Sequence, residues 1–122
     1  MGDRGNIVMR YDNDKAKDVY FYTHWRGRDL PKILHSALSH KQRWEDEPYL
    51  SRAIFHELTK NASDQFTGFG ISPFLTDNEH NILVVDHAAQ SVIEQTEEGV
   101  PVNKWSFREF VALDIDRQFA GF

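Results

Sequence analysis

The stretch DVYFYTHWRGRDLP, residues 18–31, joins a strand pattern directly to a helix start. The side chains of residues 19–24 alternate between two faces with period two, which is typical of a half-buried strand. Asp29 then has the chemistry of a helix N-cap, and Pro31 fits the first helical turn, where its missing N–H costs nothing. The stretch therefore predicts a strand over residues 19–24 that is followed by a helix starting near residue 30.

The sequence on both sides extends this unit. Residues 6–11 alternate in the same way and residues 12–14 (Asp-Asn-Asp) have turn chemistry, so the first two strands are expected to pair as a hairpin. A second helix is predicted from Asp46 or Glu47, with Pro48 in its first turn. The two helices carry apolar stripes at helical spacing: Leu30, Ile33, Leu34, Ala37 and Leu38 in the first, and Leu50, Ala53, Ile54 and Leu58 in the second.

The C-terminal half contains strand patterns and one strong helix signal. Residues 68–74 and 82–86 are interpreted as a strand pair around the polar turn 76–81, and residues 91–95 as a further strand. A helix is predicted over residues 107–113, because Ser106 and Glu109 match a capping box while Trp105 and Phe110 match a hydrophobic staple. The resulting order β-β-α-α-β-β-β-α predicts a single α+β domain over residues 1–122, with a mainly antiparallel sheet.

Composition limits the classes of function. The chain has 122 residues and no cysteine, which excludes disulfides and thiolate chemistry. Its net charge of −5 argues against general, non-specific nucleic-acid binding. No apolar run reaches the length of about 18 residues that a membrane span needs, and no signal-peptide pattern precedes the first strand. A cytoplasmic protein without membrane contact is therefore expected.

The charge is unevenly distributed along the chain. Residues 1–44 carry nine Lys or Arg and five Asp, whereas residues 45–122 carry five Lys or Arg and fourteen Asp or Glu. Such asymmetry can mark a polar partner, although a solvated surface with scattered charges gives the same count.

Two motifs near the N-terminus resemble those of an uncharacterised group of small bacterial and phage proteins. They are Met-Gly-x-Arg at residues 1–4 and Tyr-x-His-Trp-x-Gly at residues 22–27. The group usually has Asp after the Trp and continues Gly-Tyr-Pro; here Arg26 replaces that Asp, and residues 28–30 separate Gly27 from Pro31. The resemblance ends at about this point. It implies a shared core and mobile-element ancestry, and it implies no activity.

The same residues are the first candidate site. If the first two strands form a hairpin, residues 2–5 lie beside the end of the second strand and build one corner with it. One interpretation is purely structural: Arg4 stacks on Trp25, and His24 is hydrogen-bonded to a backbone carbonyl. The other interpretation is a binding site, with His24 as the one candidate for acid/base catalysis. Its binding residues would be Arg4, Tyr22, His24, Trp25, Arg26 and Arg28.

A second candidate surface lies in the loop between the two predicted helices. Arg43, Trp44 and Tyr49 are residue types that are enriched at interface hot spots. The alternative is that Trp44 folds back over the core.

Other site chemistry is not indicated. His56 and Glu57 lack the second His of a zincin motif, and no other spacing matches a known metal loop, so neither a metal nor a cofactor is expected. The segment TGFGISP, residues 67–73, lacks the lysine of a phosphate-binding loop. There is no G-x-S-x-G motif, and no Ser or Thr is evidently poised beside a His.

Two functional hypotheses remain from the sequence. The first is a non-enzymatic binding protein with a protein partner, acting as a phage-derived inhibitor or accessory factor of a larger host complex. The second is a small enzyme or small-molecule sensor whose site is the N-terminal corner, with His24 as acid/base and an arginine, Arg4 or Arg28, holding an anionic group.

Overall fold

The computed structural model describes residues 2–12, 14–62 and 67–122, so the predicted turn residue Asn13 lies outside the described part. Within these ranges the chain forms six strands and four α-helices, one of each more than predicted, in a single domain of the predicted α+β class. The strands are β1 (Gly5–Arg10), β2 (Val19–Thr23), β3 (Phe69–Ser72), β4 (Ile82–Asp86), β5 (Ser91–Gln95) and β6 (Pro101–Ser106). The helices are α1 (Leu30–Ser39), α2 (Glu47–Thr59), α3 (Phe107–Val111) and α4 (Ile115–Gln118).

The strands form one sheet in the order β3-β2-β1-β4-β5-β6. β1 pairs antiparallel with β2, which confirms the predicted hairpin. The predicted hairpin of β3 with β4 is wrong, because β3 pairs with β2, with Ile71 opposite Phe21. β4 instead pairs parallel with β1, with Leu83 opposite Ile7. The sheet is therefore mixed, and its other neighbouring pairs are antiparallel.

Residues 73–80 explain why the expected hairpin does not form. They bind to the start of β1: the side chain of Asn6 donates to the backbone oxygen of Asp77 (3.0 Å), and the amide of Glu79 donates to the backbone oxygen of Arg4 (2.9 Å). Leu75 packs against a small cluster on the sheet face away from the helices: Val8, Ile82 and Val84. The segment thus carries the chain past β1 and delivers β4 to the other side of that strand.

The main core lies between the helices and the opposite face of the sheet. Every residue of the predicted α1 stripe is buried in it, together with Ile7 and Leu83 from the central strands. The predicted α2 stripe is wrong at Ala53, which is exposed. Glu57 is buried on that helix instead, and its carboxylate is paired with Lys60 at 3.0 Å.

The start of α1 uses a different cap from the predicted one. Asp29 precedes the helix, but its side chain makes no capping hydrogen bond. A 3-10 turn (Gly27–Asp29) comes first, and the amide of Arg28 donates to the carboxylate of Asp3 at 3.0 Å. A residue from the N-terminus therefore supplies the negative charge that a helix start favours.

The sequence patterns missed β6 and α4. β6 begins with Pro101, a residue that suits an edge strand, and a register shift near Glu94 and Gln95 weakens its alternation. α4 is a single turn capped by the side chain of Asp114. The predicted helix over residues 107–113 is shorter than expected and ends at Val111.

The predicted capping box at the start of α3 is confirmed. The Oγ atom of Ser106 accepts from the Glu109 amide (3.0 Å), and the Glu109 carboxylate accepts from the Ser106 amide (2.8 Å). The rings of Trp105 and Phe110 pack at a centroid distance of 5.6 Å, which confirms the staple.

Removing the cap hydroxyl should weaken the fold measurably. We expect Ser106→Ala to lower the free energy of unfolding by about 1 kcal/mol, because the Glu109 amide loses its acceptor. Urea unfolding measures the change. Glu109→Gln is the matched control, since glutamine also completes a capping box and should cost less. Equal stability of Ser106→Ala and the wild type would contradict a stabilising cap.

Candidate functional site

The N-terminal residues and the end of β2 form one corner, as predicted. The Asp3 amide donates to the backbone oxygen of His24 (2.8 Å), and the Gly27 amide donates to the backbone oxygen of Asp3 (2.7 Å). The close packing of residue 27 against Asp3 and His80 requires glycine, because a Cβ atom there would lie 2.7 Å from the backbone oxygen of Asp3 and from the His80 ring. We call this region the N-terminal corner: residues 2–5, 22–28 and 77–80.

The Asp3 carboxylate is the centre of the corner. It accepts hydrogen bonds from the amide of Arg28 (3.0 Å), from the Nε atom of Arg28 (3.2 Å) and from Nε2 of His80. Burial alone would raise the pKa of Asp3, but the hydrogen bonds from His80 and Arg28 outweigh it and lower the pKa below its ordinary value. Asp3 is therefore held as a carboxylate that joins three segments of the chain.

His80 completes this arrangement from the segment before β4. Its Nδ1 atom lies 2.8 Å from the backbone oxygen of Phe122, and its Nε2 atom faces Asp3. Both ring nitrogens therefore face oxygen atoms that can accept a hydrogen bond. The Phe122 ring stacks on the imidazole at a centroid distance of 5.1 Å. Sequence reasoning missed His80 because a polar turn gives no signal of a partner so distant in the chain.

Arg4 does not stack on Trp25. Its Nε atom and its amide both donate to the Glu79 carboxylate (3.0 and 2.8 Å), and Asp77 lies 3.4 Å from the guanidinium. These bonds to Arg4 lower the pKa of Glu79. The arginine therefore fastens residues 77–79 to β1 rather than supporting the indole ring.

Among the residues that the structure describes, no backbone carbonyl is bonded to the imidazole of His24, in contrast to the structural interpretation. Its Nδ1 atom lies 3.0 Å from the hydroxyl of Tyr22, and its ring meets the edge of Trp25 at a centroid distance of 4.9 Å. Gly68, with φ of +95°, lies directly against the indole, since a Cβ atom there would overlap that ring. Trp25 is thus fixed on two sides while 50% of it stays exposed.

The two remaining arginines of the corner point in different directions. Arg26 reaches α2, where it donates to the backbone oxygen of Leu58 (3.4 Å), and it lies 3.8 Å from Asp29. The side chain of Arg28 is 77% exposed, although its Nε atom is bound to Asp3. Arg28 is therefore the corner arginine with donors available to a partner.

The second predicted surface lies apart from this corner, beyond the opposite end of α1. Trp44 is half-buried there: its Nε1 atom donates to the backbone oxygen of Leu38 (3.1 Å), and its ring packs on Phe107 at 5.6 Å. The Arg43 guanidinium lies 4.8 Å from the centre of the exposed Tyr49 ring. Trp44 therefore folds over the core, and only Arg43 and Tyr49 are presented outward.

Two cavities flank His80 and share it, with Phe119 and Phe122, as a common wall. One, of about 400 Å³, is bordered by Arg28 and Lys32; the other, of about 370 Å³, is bordered by Glu79, Asn81 and Glu94. His24 lines neither of them. The open pocket that an enzyme would need beside that imidazole is thus not provided by these two cavities.

The structure also brings together a Ser–His pair that sequence reasoning missed. The Oγ atom of Ser51 lies 3.3 Å from Nε2 of His87 and 2.6 Å from the hydroxyl of Tyr11, whose ring stacks on His87. His87 is 4% exposed, and its Nδ1 atom has no hydrogen-bond partner among the described residues. Within the described part of the chain no carboxylate orients the imidazole through that atom, so the group lacks the third member of a triad there.

Burial of His87 should make the stability of the protein depend on pH. Burial lowers the pKa of His87 from its ordinary value of 6.5 to about 4. Between these two pH values the unfolded chain binds a proton at this residue and the folded chain does not. The free energy of unfolding is therefore greatest above pH 6.5 and falls as the pH drops toward about 4. Between about pH 7 and 5 we expect a loss of about 2 kcal/mol from this residue.

The difference between wild type and His87→Phe in urea unfolding isolates this contribution, because phenylalanine retains a ring beside Tyr11 and does not titrate. His56→Gln, a change at an exposed histidine of α2, should leave the pH dependence intact. An identical pH dependence in wild type and His87→Phe would contradict the assignment.

The described ranges contain neither a candidate metal-binding cluster nor a candidate membrane-spanning helix. No group of three or more His, Asp or Glu in them is arranged to hold a metal ion. Likewise, none of the helices in these ranges is long and apolar enough to cross a membrane. Comparison of the chain with protein-family models, with curated proteins and with solved structures finds no match.

Proposed function

We propose that the chain is a cytoplasmic binding protein that contacts a protein partner through the N-terminal corner, with Trp25 and Arg28 as the main contact residues. The observation that carries the proposal is the state of Trp25, which is half exposed and yet fixed by His24 and Gly68. A pre-positioned aromatic side chain loses little conformational entropy when it is buried against a partner. Trp and Arg are also the residue types that dominate binding energy at interfaces.

Binding is favoured over catalysis because Arg4 and His80, two polar side chains of the corner, already form hydrogen bonds within the protein. Arg4 is bound by Glu79, and His80 by Asp3 and Phe122, so neither is available to hold or protonate a substrate. A mobile-element protein of this kind would act as an inhibitor or accessory factor of a larger host complex. The alternative of a small enzyme or sensor rests on His24 and on Arg28, since Arg4 is committed.

Affinity capture followed by binding measurements tests the proposal. Tagged wild type, Trp25→Ala and Phe74→Ala are compared, the last being a change of an exposed aromatic residue outside both candidate surfaces. Any partner captured by the wild type is purified and its dissociation constant measured with each variant. We expect Trp25→Ala to cost about 2 kcal/mol or more, roughly a 30-fold loss of affinity, while Phe74→Ala keeps the wild-type value.

Thermal unfolding must show that both variants are folded. Unchanged affinity of folded Trp25→Ala would refute the corner as the contact surface. The enzyme or sensor alternative would be favoured by two results together. The wild type would capture no protein, and His24→Ala would lose the ability to convert or to bind a small molecule that the wild type converts or binds.

A further inference from the structure

The cavity of about 370 Å³ contains a buried charge that lacks a counter-ion. It is the carboxylate of Glu94 on β5, a residue that is only 8% exposed. Its two oxygens accept one hydrogen bond each, from the side-chain amides of Asn81 (3.1 Å) and Asn103 (3.0 Å). Within the described ranges, no Lys, Arg or His nitrogen lies within salt-bridge distance of it. Acidic side chains are rarely buried to this degree unless they are paired with a cation.

The other charged groups of the cavity wall are neutralised by neighbours. Glu79 is paired with Arg4 at 3.0 Å, and His80 faces the carboxylate of Asp3. Glu94 is thus the wall residue whose charge is left for a ligand. The electrostatic character of the cavity is therefore negative.

The uncharged part of the wall suits an organic cation. Because Asn81 and Asn103 donate their amide groups to Glu94, their side-chain oxygens remain as acceptors for further N–H donors. A carboxylate with two accepted bonds also retains acceptor capacity. Phe119 and Phe122 contribute aromatic rings, over which ammonium and guanidinium groups bind favourably.

We infer that this cavity binds an organic cation, an alkylammonium or guanidinium group, with Glu94 as its counter-ion. The chemistry is the same whether the group belongs to a small amine or to a lysine or arginine side chain of a partner. Trp25 does not line this cavity, so cation binding here does not depend on whether the corner binds a protein.

Titrations with defined probes test this inference. Isotope-labelled protein is titrated with N-acetyl-arginine methylamide and N-acetyl-lysine methylamide, and with the uncharged N-acetyl-citrulline methylamide as the neutral control. The side-chain amide signals of Asn81 and Asn103 report binding directly by NMR. We expect saturable shifts with the two cations and none with citrulline.

Matched variants assign the effect to Glu94. Glu94→Gln removes the charge and keeps acceptor capacity, and it should weaken cation binding about tenfold or more. Glu98→Gln removes the same charge from the exposed turn between β5 and β6 and should change the affinity little. Gln118→Glu, an exposed change at the cavity rim, should tighten binding several-fold and keeps the test valid if Glu94→Gln fails to fold.

The outcomes are distinct. No saturable shift with either cation, equal binding of the citrulline probe, or unchanged affinity in folded Glu94→Gln would each overturn the inference. If Glu94→Gln does not fold, a Gln118→Glu variant that binds no more tightly than the wild type would overturn it as well. A final pair of probes, free agmatine and a glycine peptide containing one arginine, distinguishes a small-molecule ligand from a protein ligand. Stronger binding of agmatine indicates a small amine. Stronger binding of the peptide indicates a side chain of a protein.

Discussion

Replacing Arg10 by methionine should cost the fold about 3–5 kcal/mol, one of the two largest losses expected for a single substitution in this protein. Arg10 is buried on the sheet face away from the helices, where its Nε and Nη2 atoms donate to the two oxygens of Asp18 at 3.0 and 2.9 Å. Methionine fills similar space but leaves the carboxylate of Asp18 buried without a partner. Asp86, which lies opposite Arg10 on β4, would lose the same neighbouring cation.

A double variant separates the lost charge from the lost packing. Arg10→Met with Asp18→Leu removes both members of the pair, and it should recover much of the stability that Arg10→Met loses. Urea unfolding is measured for the wild type, for Arg10→Met, for Asp18→Leu and for the double variant. The four free energies of unfolding give the interaction energy between Arg10 and Asp18. If Arg10→Met lost less than about 1 kcal/mol, the buried pair would not contribute as its geometry implies.

Replacing Phe110 by alanine should also cost about 3–5 kcal/mol. Phe110 is completely buried, and its ring lies between those of Trp105 (5.6 Å), Phe119 (6.3 Å) and His35 (6.1 Å). Of the two residues of the hydrophobic staple, Phe110 is fully buried and Trp105 is only partly buried. Trp105→Ala should therefore cost less than Phe110→Ala.

The matched control for Phe110→Ala is Phe74→Ala, a change at a phenylalanine that is 63% exposed. This control should stay within about 0.5 kcal/mol of the wild type. Equal losses in both variants, measured by urea unfolding, would show that burial does not govern the effect. If Trp105→Ala lost more stability than Phe110→Ala, the indole ring of Trp105 would be the main contact that holds α3 on the sheet.

Local chemistry made the fold class predictable from the sequence. The α1 stripe and the capping box of α3 depend on residues within a few positions of one another, the first hairpin depends on two strands that are consecutive in the chain, and all three features are present. The partner of β4 was not predictable in this way. Its pairing with β1 depends on hydrogen bonds that residues 77–79 make to Asn6 and Arg4, and periodicity contains no information about such distant partners.

The candidate site was predictable only in its location. Adjacency of the N-terminus and the end of β2 follows from the hairpin, so the corner itself was expected. The roles of its members were not: Asp3, His80 and Phe122 come from three separate parts of the chain and are joined by side-chain hydrogen bonds. Glu94 was likewise missed, because a carboxylate on an edge-proximal strand is ordinarily solvent-exposed, and only the tertiary structure shows that it is buried.

The parallel contact between β1 and β4 also has consequences for how the chain folds. On either side of it the sheet consists of antiparallel strands that follow a simple path, β1-β2-β3 and β4-β5-β6. The contact between them joins Ile7 to Leu83 and so closes most of the chain into one loop. The entropy of closing that loop must be lost before the central pairing contributes its stability, and contacts of high sequence separation slow folding. During synthesis, the ribosome must therefore release β4 before β1 acquires its second neighbour and the central sheet can form.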